Sequence, residues 1–291
     1  MQNAAPILAG LRDGLREQGY TEGINIAIES RFANDQFERL PDLARELIAL
    51  KVDVLVALFT QSAIAARDNT TTIPIVMVGV SDPIASKLVS SLSRPGGNVT
   101  GTSGMFSEAA GKRLELLKEA VPGVKRVAIL WNPVNRVFQM QLIRETEPAA
   151  RQLRLPLELF EARDAASIER IFATISNQRA GALGLDVLPD PTLGALAPTI
   201  AALAQKARIP SVGGGAPFAE AGGFIGYGPS LGELARNAAG HVAKILKGAK
   251  PAELPIEQPT KFELVINLKT AKQIGVAVPQ SLLLRADRLI E

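Results

Sequence analysis

The chain has 291 residues, 47% of them hydrophobic and 21% charged, which is enough material for two cores of ordinary size. Its 32 basic and 29 acidic residues nearly balance and form no Lys/Arg run, so the concentrated basic face that nucleic acid wants is not expected. The absence of cysteine excludes disulfides, thiolate nucleophiles and cysteine-based zinc or iron–sulfur sites.

Aromatic residues make up only 4%. The core is therefore expected to be Leu, Val, Ile and Ala, as in helix-covered parallel sheets. No run reaches the roughly 18 apolar residues of a membrane helix. Residues Met1 to Pro6 have neither the basic start nor the long apolar run of a signal peptide.

Taken in order, the spacing of Ile7, Leu8, Leu11 and Leu15 predicts a helix from Ala5 to Gln18, with Gly19 as its stop. Ile24–Ile28 alternates as a strand. A helix over Leu40–Leu50 carries Pro41 in its first turn. The continuous apolar run Val52–Leu58 predicts a strand buried on both faces. Thr60-Gln61-Ser62 opens a helix to Asn69, Ile73–Val78 is a strand, and Ser81-Asp82-Pro83 leads into a helix from Ile84 to Leu92.

Pro95-Gly96-Gly97-Asn98 is then a strong turn signal. The following residues to Ser103 form at most a short strand, not one in a helix-covered core. Next, Ser107 N-caps a helix to Val121. Val127–Trp131 is a strand, and a helix from Val137 is broken or kinked at Pro148. Leu157–Phe160 is a strand, Ser167 caps a helix to Gln178, and Ala180–Leu185 is a strand ending at Asp186. A helix over Thr192–Ala207 contains Pro198, and Ile209–Val212 is a strand. Gly222–Ser230 is extended, Leu231–Lys247 is a long helix, and Pro251–Gln258 is extended. Phe262–Leu268 is the last of about nine strands, followed by a helix over Lys269–Ile274.

This alternation predicts an α/β fold with parallel sheets and right-handed crossovers. The extended glycine- or proline-rich stretches near 96–104, 222–230 and 250–260 read as crossings between two doubly wound lobes. The expected lobes are residues 1–101 with 230–257, and 102–229 with 258–291. Ligands of such sheets bind at the carboxyl ends of the strands.

Four segments carry a resemblance that spans essentially the whole chain. They are Gly14–Ile26, Thr71–Val76, Ser93–Gly101 and Pro259–Ala271. Together they resemble the ABC-transporter substrate-binding proteins of the tryptophan/tyrosine-binding-like kind. The resemblance implies a type I periplasmic-binding-protein fold: two Rossmann-like lobes, three crossings, and a ligand closed between the lobes. It also implies an export or lipoprotein signal and a first strand ahead of the first helix. The sequence opens at that helix, so the expectation is an N-terminally truncated chain whose first lobe lacks one central strand. Pro148 and Arg154-Leu155-Pro156 also depart from the family, where an uninterrupted helix ends in glycine.

Candidate site residues stand at strand ends. Thr60, Gln61 and Ser62 occupy a helix start whose free N–H groups suit a carboxylate; plain N-capping is the other reading. Ser81 and Asp82 hold the equivalent place one unit later, where Asp82 either caps or receives an ammonium. Thr102 and Ser103 offer hydroxyls at the first crossing. In the second lobe, Trp131 either stacks on a flat ligand or belongs to the core, and Asn132 donates and accepts. Asp186 binds an amine, or caps, or pairs with an Arg. Tyr227 and Ser230 lie at the second crossing. The single His241 sits mid-helix with no partner at ligand spacing, and Gly213-Gly214-Gly215 lacks the rest of a phosphate-loop signature.

The expectation is therefore a solute-binding component of an ABC importer that works outside the cytoplasm, reaching the membrane only through the permease. It needs no catalysis, cofactor or metal, and its ligand is a small polar solute. The resemblance points to an aromatic amino acid. A ligand-sensing regulatory domain of the same fold is the alternative, although no DNA-binding or signalling segment is recognisable. An enzyme of the doubly wound class stands third, for want of a cofactor fingerprint or a nucleophile–base pair. Replacing Gly101 by a β-branched residue is expected to impair closure more than folding.

Overall fold

The structure, a computed structural model, describes residues 5–34, 36–176 and 182–291. In chain order its elements are α1 (Ala5–Glu17), α2 (Leu40–Ala49), β1 (Leu55–Leu58), α3 (Phe59–Asn69), β2 (Ile75–Val80), β3 (Val99–Ser103), α4 (Phe106–Ala120), β4 (Arg126–Trp131), α5 (Arg136–Leu153), β5 (Leu157–Glu161) and α6 (Ala165–Ile175). There follow β6 (Leu183–Val187), α7 (Pro191–Ala195), α8 (Ala197–Lys206), β7 (Ser211–Gly213), α9 (Ala216–Glu220), β8 (Ile225–Pro229), α10 (Leu231–Leu246), β9 (Phe262–Asn267), α11 (Leu268–Ile274), α12 (Gln280–Leu283) and β10 (Arg288–Ile290). The chain divides into two units, Met1–Met105 with Ser230–Thr260 and Phe106–Pro229 with Lys261–Glu291, so it passes from one to the other three times.

The first unit holds a parallel sheet of order β1-β2-β3. On one face, Ile7, Leu11 and Leu15 of α1 and Leu234, Ala238 and Val242 of α10 pack with Val76 and Val78. The two helices approach closely because Gly10 meets Gly232: a Cβ on Gly10 would lie 2.1 Å from the Gly232 carbonyl oxygen. On the other face, Leu55, Ala57, Ile75, Met77 and Val99 pack with Ala63 and Ala66 of α3.

Several expectations for this unit need correction. Ile24–Ile28 is not a strand; only a single bridge joins Glu22 and Ile26. The Asn25 side chain accepts from the Thr21 amide at 2.7 Å and donates to the Gly19 carbonyl at 2.9 Å, a local turn that outcompetes a ladder. The strand from Val52 shortens to β1 and alternates between buried residues, Leu55 and Ala57, on the α3 face and half-buried ones, Val56 and Leu58, on the α1 and α10 face. No helix forms over Ile84–Leu92. The Asp82 carboxylate holds the amides of Ile84 and Ala85, and Lys87 turns left-handed at φ 54°, which stops helical propagation.

The stretch after Asn98, expected to stay out of a covered core, is instead β3, buried throughout. Its free side is covered by residues 254–257: Glu257 N–H donates to the Gly101 carbonyl at 3.0 Å, and Ser103 N–H to the Glu257 carbonyl at 2.8 Å. The third extended stretch also differs, since Pro251–Glu253 makes a turn of 3-10 helix.

The second unit holds a seven-stranded sheet of order β10-β9-β8-β7-β6-β4-β5. It is mixed rather than purely parallel, since β8 runs antiparallel to β9. The described residues form ten strands in all, against about nine expected. Gly222–Ser230 contributes β8 to this sheet. On one face, Ala128, Leu130, Leu185 and Val187 pack with Ile168, Ile171 and Phe172 of α6 and Ile200 and Ala204 of α8. The other face meets α4, with α5 packed alongside it.

Helix α4 starts at Phe106, one residue before the expected cap. Helix α5 runs unbroken through Pro148. Proline leaves the Arg144 carbonyl without its donor, but both residues are exposed, so water can take that place. At the helix end, Arg154 takes the left-handed conformation (φ 55°) that glycine usually supplies. Leu155 N–H then reaches back to the Ala150 carbonyl at 2.9 Å, as in a Schellman stop. Asp164, not Ser167, caps α6; Ser167 is the third helical residue of a reciprocal capping box. Leu196 divides the helix expected over Thr192–Ala207 into α7 and α8, with Pro198 in the first turn of α8. The expected helix end at Gln178 and strand start at Ala180 lie outside the described residues.

Candidate functional site

Three candidate groups of the first unit come together because their strands are neighbours and run the same way. Leu58 pairs with Val78, and Val80 with Ser103. The carboxyl ends of β1, β2 and β3 therefore present Thr60-Gln61-Ser62, Ser81-Asp82 and Thr102-Ser103 at one end of one sheet. The domain division keeps Thr102 and Ser103 in this unit rather than at the head of the second.

The first turn of α3 has no side-chain cap. The residue before the helix is Leu58, whose side chain cannot accept a hydrogen bond, so the N-capping alternative for Thr60 and Ser62 is not realised. The opening N–H groups of an eleven-residue helix thus face out beside two half-buried hydroxyls. Phe59 starts this helix with a left-handed backbone, φ 64°. Such a conformation costs on the order of 1–2 kcal/mol in a residue with a Cβ. It lets the chain turn from strand into helix with no loop residues between.

The other two groups are more committed. Asp82 caps the turn after β2 through the amides of Ile84 and Ala85, at 3.0 and 2.9 Å. Thr102 is fully buried: its hydroxyl accepts from the Gly79 amide and donates to the Leu234 carbonyl, both at 3.3 Å. Ser103 is buried beside it.

In the second unit, Trp131 and Asn132 end β4, and Asp186 lies near the end of β6. Asn132 is held on three sides. Its amide nitrogen donates to Asp190 at 3.0 Å, its side-chain oxygen accepts from the Val134 amide at 3.1 Å, and its backbone N–H donates to Gln139 at 3.2 Å. Trp131 is 5% exposed, and the guanidinium of Arg136 lies 5.9 Å from its ring centroid.

Asp186 has no exposed surface. Arg113 of α4 engages it with two N–H groups, at 2.9 and 3.4 Å. Of the readings open for Asp186, the structure realises the arginine partner. Burial pushes its carboxyl above the ordinary carboxylate range, against the pull of Arg113. Tyr227 is half-buried and stacks on Phe262 with centroids 5.9 Å apart; burial pushes its phenol upward. Ser230 caps α10 through the Glu233 amide. His241 is buried, with Nε2 2.9 Å from the Pro255 carbonyl oxygen.

Arg113 and Phe59 were missed in the sequence. Arg113 had a signal: it falls seven residues after Phe106, on the stripe Phe106, Ala109, Ala110, Leu114 and Leu117 that α4 buries. A charged residue on such a stripe asks for a buried partner, and Asp186 on an apolar strand was its counterpart. Phe59 carried no signal, since its strain is a property of the turn. A groove of about 540 Å³ between α5 and β5 is lined mostly by aliphatic side chains such as Ile143, Leu155 and Leu157. It opens at the amino end of β5, away from all these residues. Among the described residues no group of three or more His, Asp or Glu stands together to hold a metal.

An α/β chain in two units with candidate residues at strand carboxyl ends is the architecture of a two-lobed binding protein. The chain matches the family described as ABC transporter substrate binding protein over residues 3–290, and it belongs to that family. It is 28% identical to a tyrosine-binding protein of Clostridioides difficile over 276 residues, covering 92% of this chain and 76% of the relative. Its fold matches a conserved domain protein of Vibrio cholerae with TM-score 0.87 at 30% identity, covering 98% and 95% of the two chains. It also matches a Streptococcus pneumoniae ABC domain solved in complex with L-Trp, with TM-score 0.86 at 27% identity, covering 98% and 96%.

Proposed function

We propose that this substrate-binding protein takes up an aromatic amino acid outside the cytoplasm and delivers it to an ABC permease. The observation that carries the proposal is the uncapped start of α3 beside Thr60 and Ser62. A carboxylate there accepts from backbone N–H groups at the positive end of the helix dipole. Ser81, Asp82 and Ser103 stand at the ends of the neighbouring strands, where a solute's ammonium and polar edges find acceptors. Two relatives support the class of solute, one described as tyrosine-binding and one solved with L-Trp. Trp131, Asn132 and Tyr227 are the proposed contacts from the second unit, and Ser230 lies where the chain re-enters the first.

The test is a thermal-shift screen over amino acids, nucleosides and sugars, followed by calorimetry. L-tyrosine or L-tryptophan is expected to raise the melting temperature, with a smaller effect after Thr60→Ala or Ser62→Ala. No shift with any amino acid up to millimolar concentration would sink the ligand class.

A further inference from the structure

Among the described residues, the buried side-chain nitrogens with no hydrogen-bond partner are Arg113 Nη1 and Trp131 Nε1. They belong to one face of one sheet. β4 and β6 pair with Ile129 opposite Asp186, so these two side chains share a face; Trp131, two residues beyond Ile129, shares it as well. Arg113 reaches that face from α4 through its bonds to Asp186. Both donors stand toward the carboxyl ends of parallel strands, where sheets of this class receive ligands.

A buried donor without an acceptor is costly, and native folds keep very few. The local chemistry also fixes what the missing partner must be. The Asp186 carboxylate is occupied by Arg113, and the Arg136 guanidinium lies 5.9 Å from the Trp131 ring centroid. This face therefore offers N–H groups and positive charge to a guest, and its Asp186 carboxylate is already engaged by Arg113.

We propose that Arg113 Nη1 and Trp131 Nε1 are solute-binding donors of the second unit, and that they receive the phenolic oxygen of a bound tyrosine whose carboxylate is held at the start of α3. The proposal rests on the aromatic-amino-acid reading above. It reverses the polarity expected from the sequence, in which Asp186 receives an amine. It also makes Arg113, which carries a net-neutral pair with Asp186, a residue that sets specificity.

The experiment titrates L-tyrosine, L-phenylalanine and tyramine by calorimetry into the wild type, Trp131→Phe and Arg113→Lys. Phenylalanine lacks the phenolic oxygen and tyramine lacks the carboxylate. Trp131→Phe keeps an aromatic ring but removes the N–H together with part of the buried indole, so its ligand-free melting temperature is measured to report the structural cost. It is expected to weaken L-tyrosine binding about tenfold, the scale of one buried hydrogen bond. Arg113→Lys, which keeps a positive charge beside Asp186, is expected to weaken it at least as much. The weakening should vanish for L-phenylalanine and persist for tyramine, and the reverse pattern overturns the inference. If the wild type binds L-tyrosine and Trp131→Phe binds it equally well, or if all three ligands weaken alike, the inference is overturned and the reading of the function stands. If the wild type binds none of the three, that reading falls and takes the inference with it.

Discussion

At the scale of the residue, two positions set strong constraints. Arg113 and Asp186 are both fully buried and bonded to each other. Removing one partner leaves an uncompensated charge in the core, so Asp186→Asn should cost about 3–5 kcal/mol in urea unfolding of the protein. Replacing both together, Arg113→Met with Asp186→Leu, should recover most of that loss, because well-packed apolar side chains often match a buried ion pair. A double variant no more stable than Asp186→Asn would show that the pair is worth more than its desolvation cost.

Gly101 is the second such residue. It sits in β3 at φ 127°, and a Cβ there would lie 2.1 Å from the Met77 carbonyl oxygen. The expectation that a β-branched residue impairs closure more than folding gives way to a simpler one. Gly101→Val should destabilise the first unit by roughly 2–4 kcal/mol through backbone strain and overpacking. Chemical denaturation measures it, and wild-type stability with altered ligand affinity would restore the hinge explanation.

Elements show how local chemistry resolves competing signals. Proline was expected to break α5, but the carbonyl it deprives of a donor faces solvent, and the helix continues. Arg154 occupies a stop position that glycine usually holds, which moves strain onto an arginine and leaves the fold intact. In α6 the cap is Asp164, whose carboxylate accepts from the Ser167 amide at 2.7 Å. That bond holds the Asp164 carboxyl below the value of 3.8 that it has when unperturbed.

The sign follows from the depressed value. The folded state binds its proton less readily than the unfolded chain, so the stabilisation is complete above about pH 3.8 and is lost as pH falls through the depressed value. Asp164→Asn keeps a capping oxygen and removes the titration. It should therefore flatten the acid limb of the melting-temperature curve while lowering the melting temperature little at neutral pH. An acid limb identical to that of the wild type would mean that other carboxylates set it.

At the scale of the whole molecule, solute binding and stability are linked. A solute that binds only the folded protein adds about 2.7 kcal/mol at one hundred times its Kd. The melting temperature should therefore rise with the logarithm of L-tyrosine or L-tryptophan concentration once the site is saturated. A shift that stops at stoichiometric ligand would point to a change other than binding to the native state.

The sequence by itself determined the α/β class, most of the helices, the family, and the strand ends where the candidate residues lie. These follow from hydrophobic period, turn residues and short motifs, all of which act over a few neighbours. Only the tertiary structure decided that residues after Asn98 form a buried strand, that β8 and β9 run antiparallel, and that Ile24–Ile28 pairs with no strand. Each depends on which segment lies alongside, which no local pattern records. The same holds for the candidate site. Thr60 and Ser62 were legible because a strand feeding a helix marks itself in sequence. The partner of Asp186 was settled only when α4 packed on the sheet and brought Arg113 across 73 residues of chain to meet it.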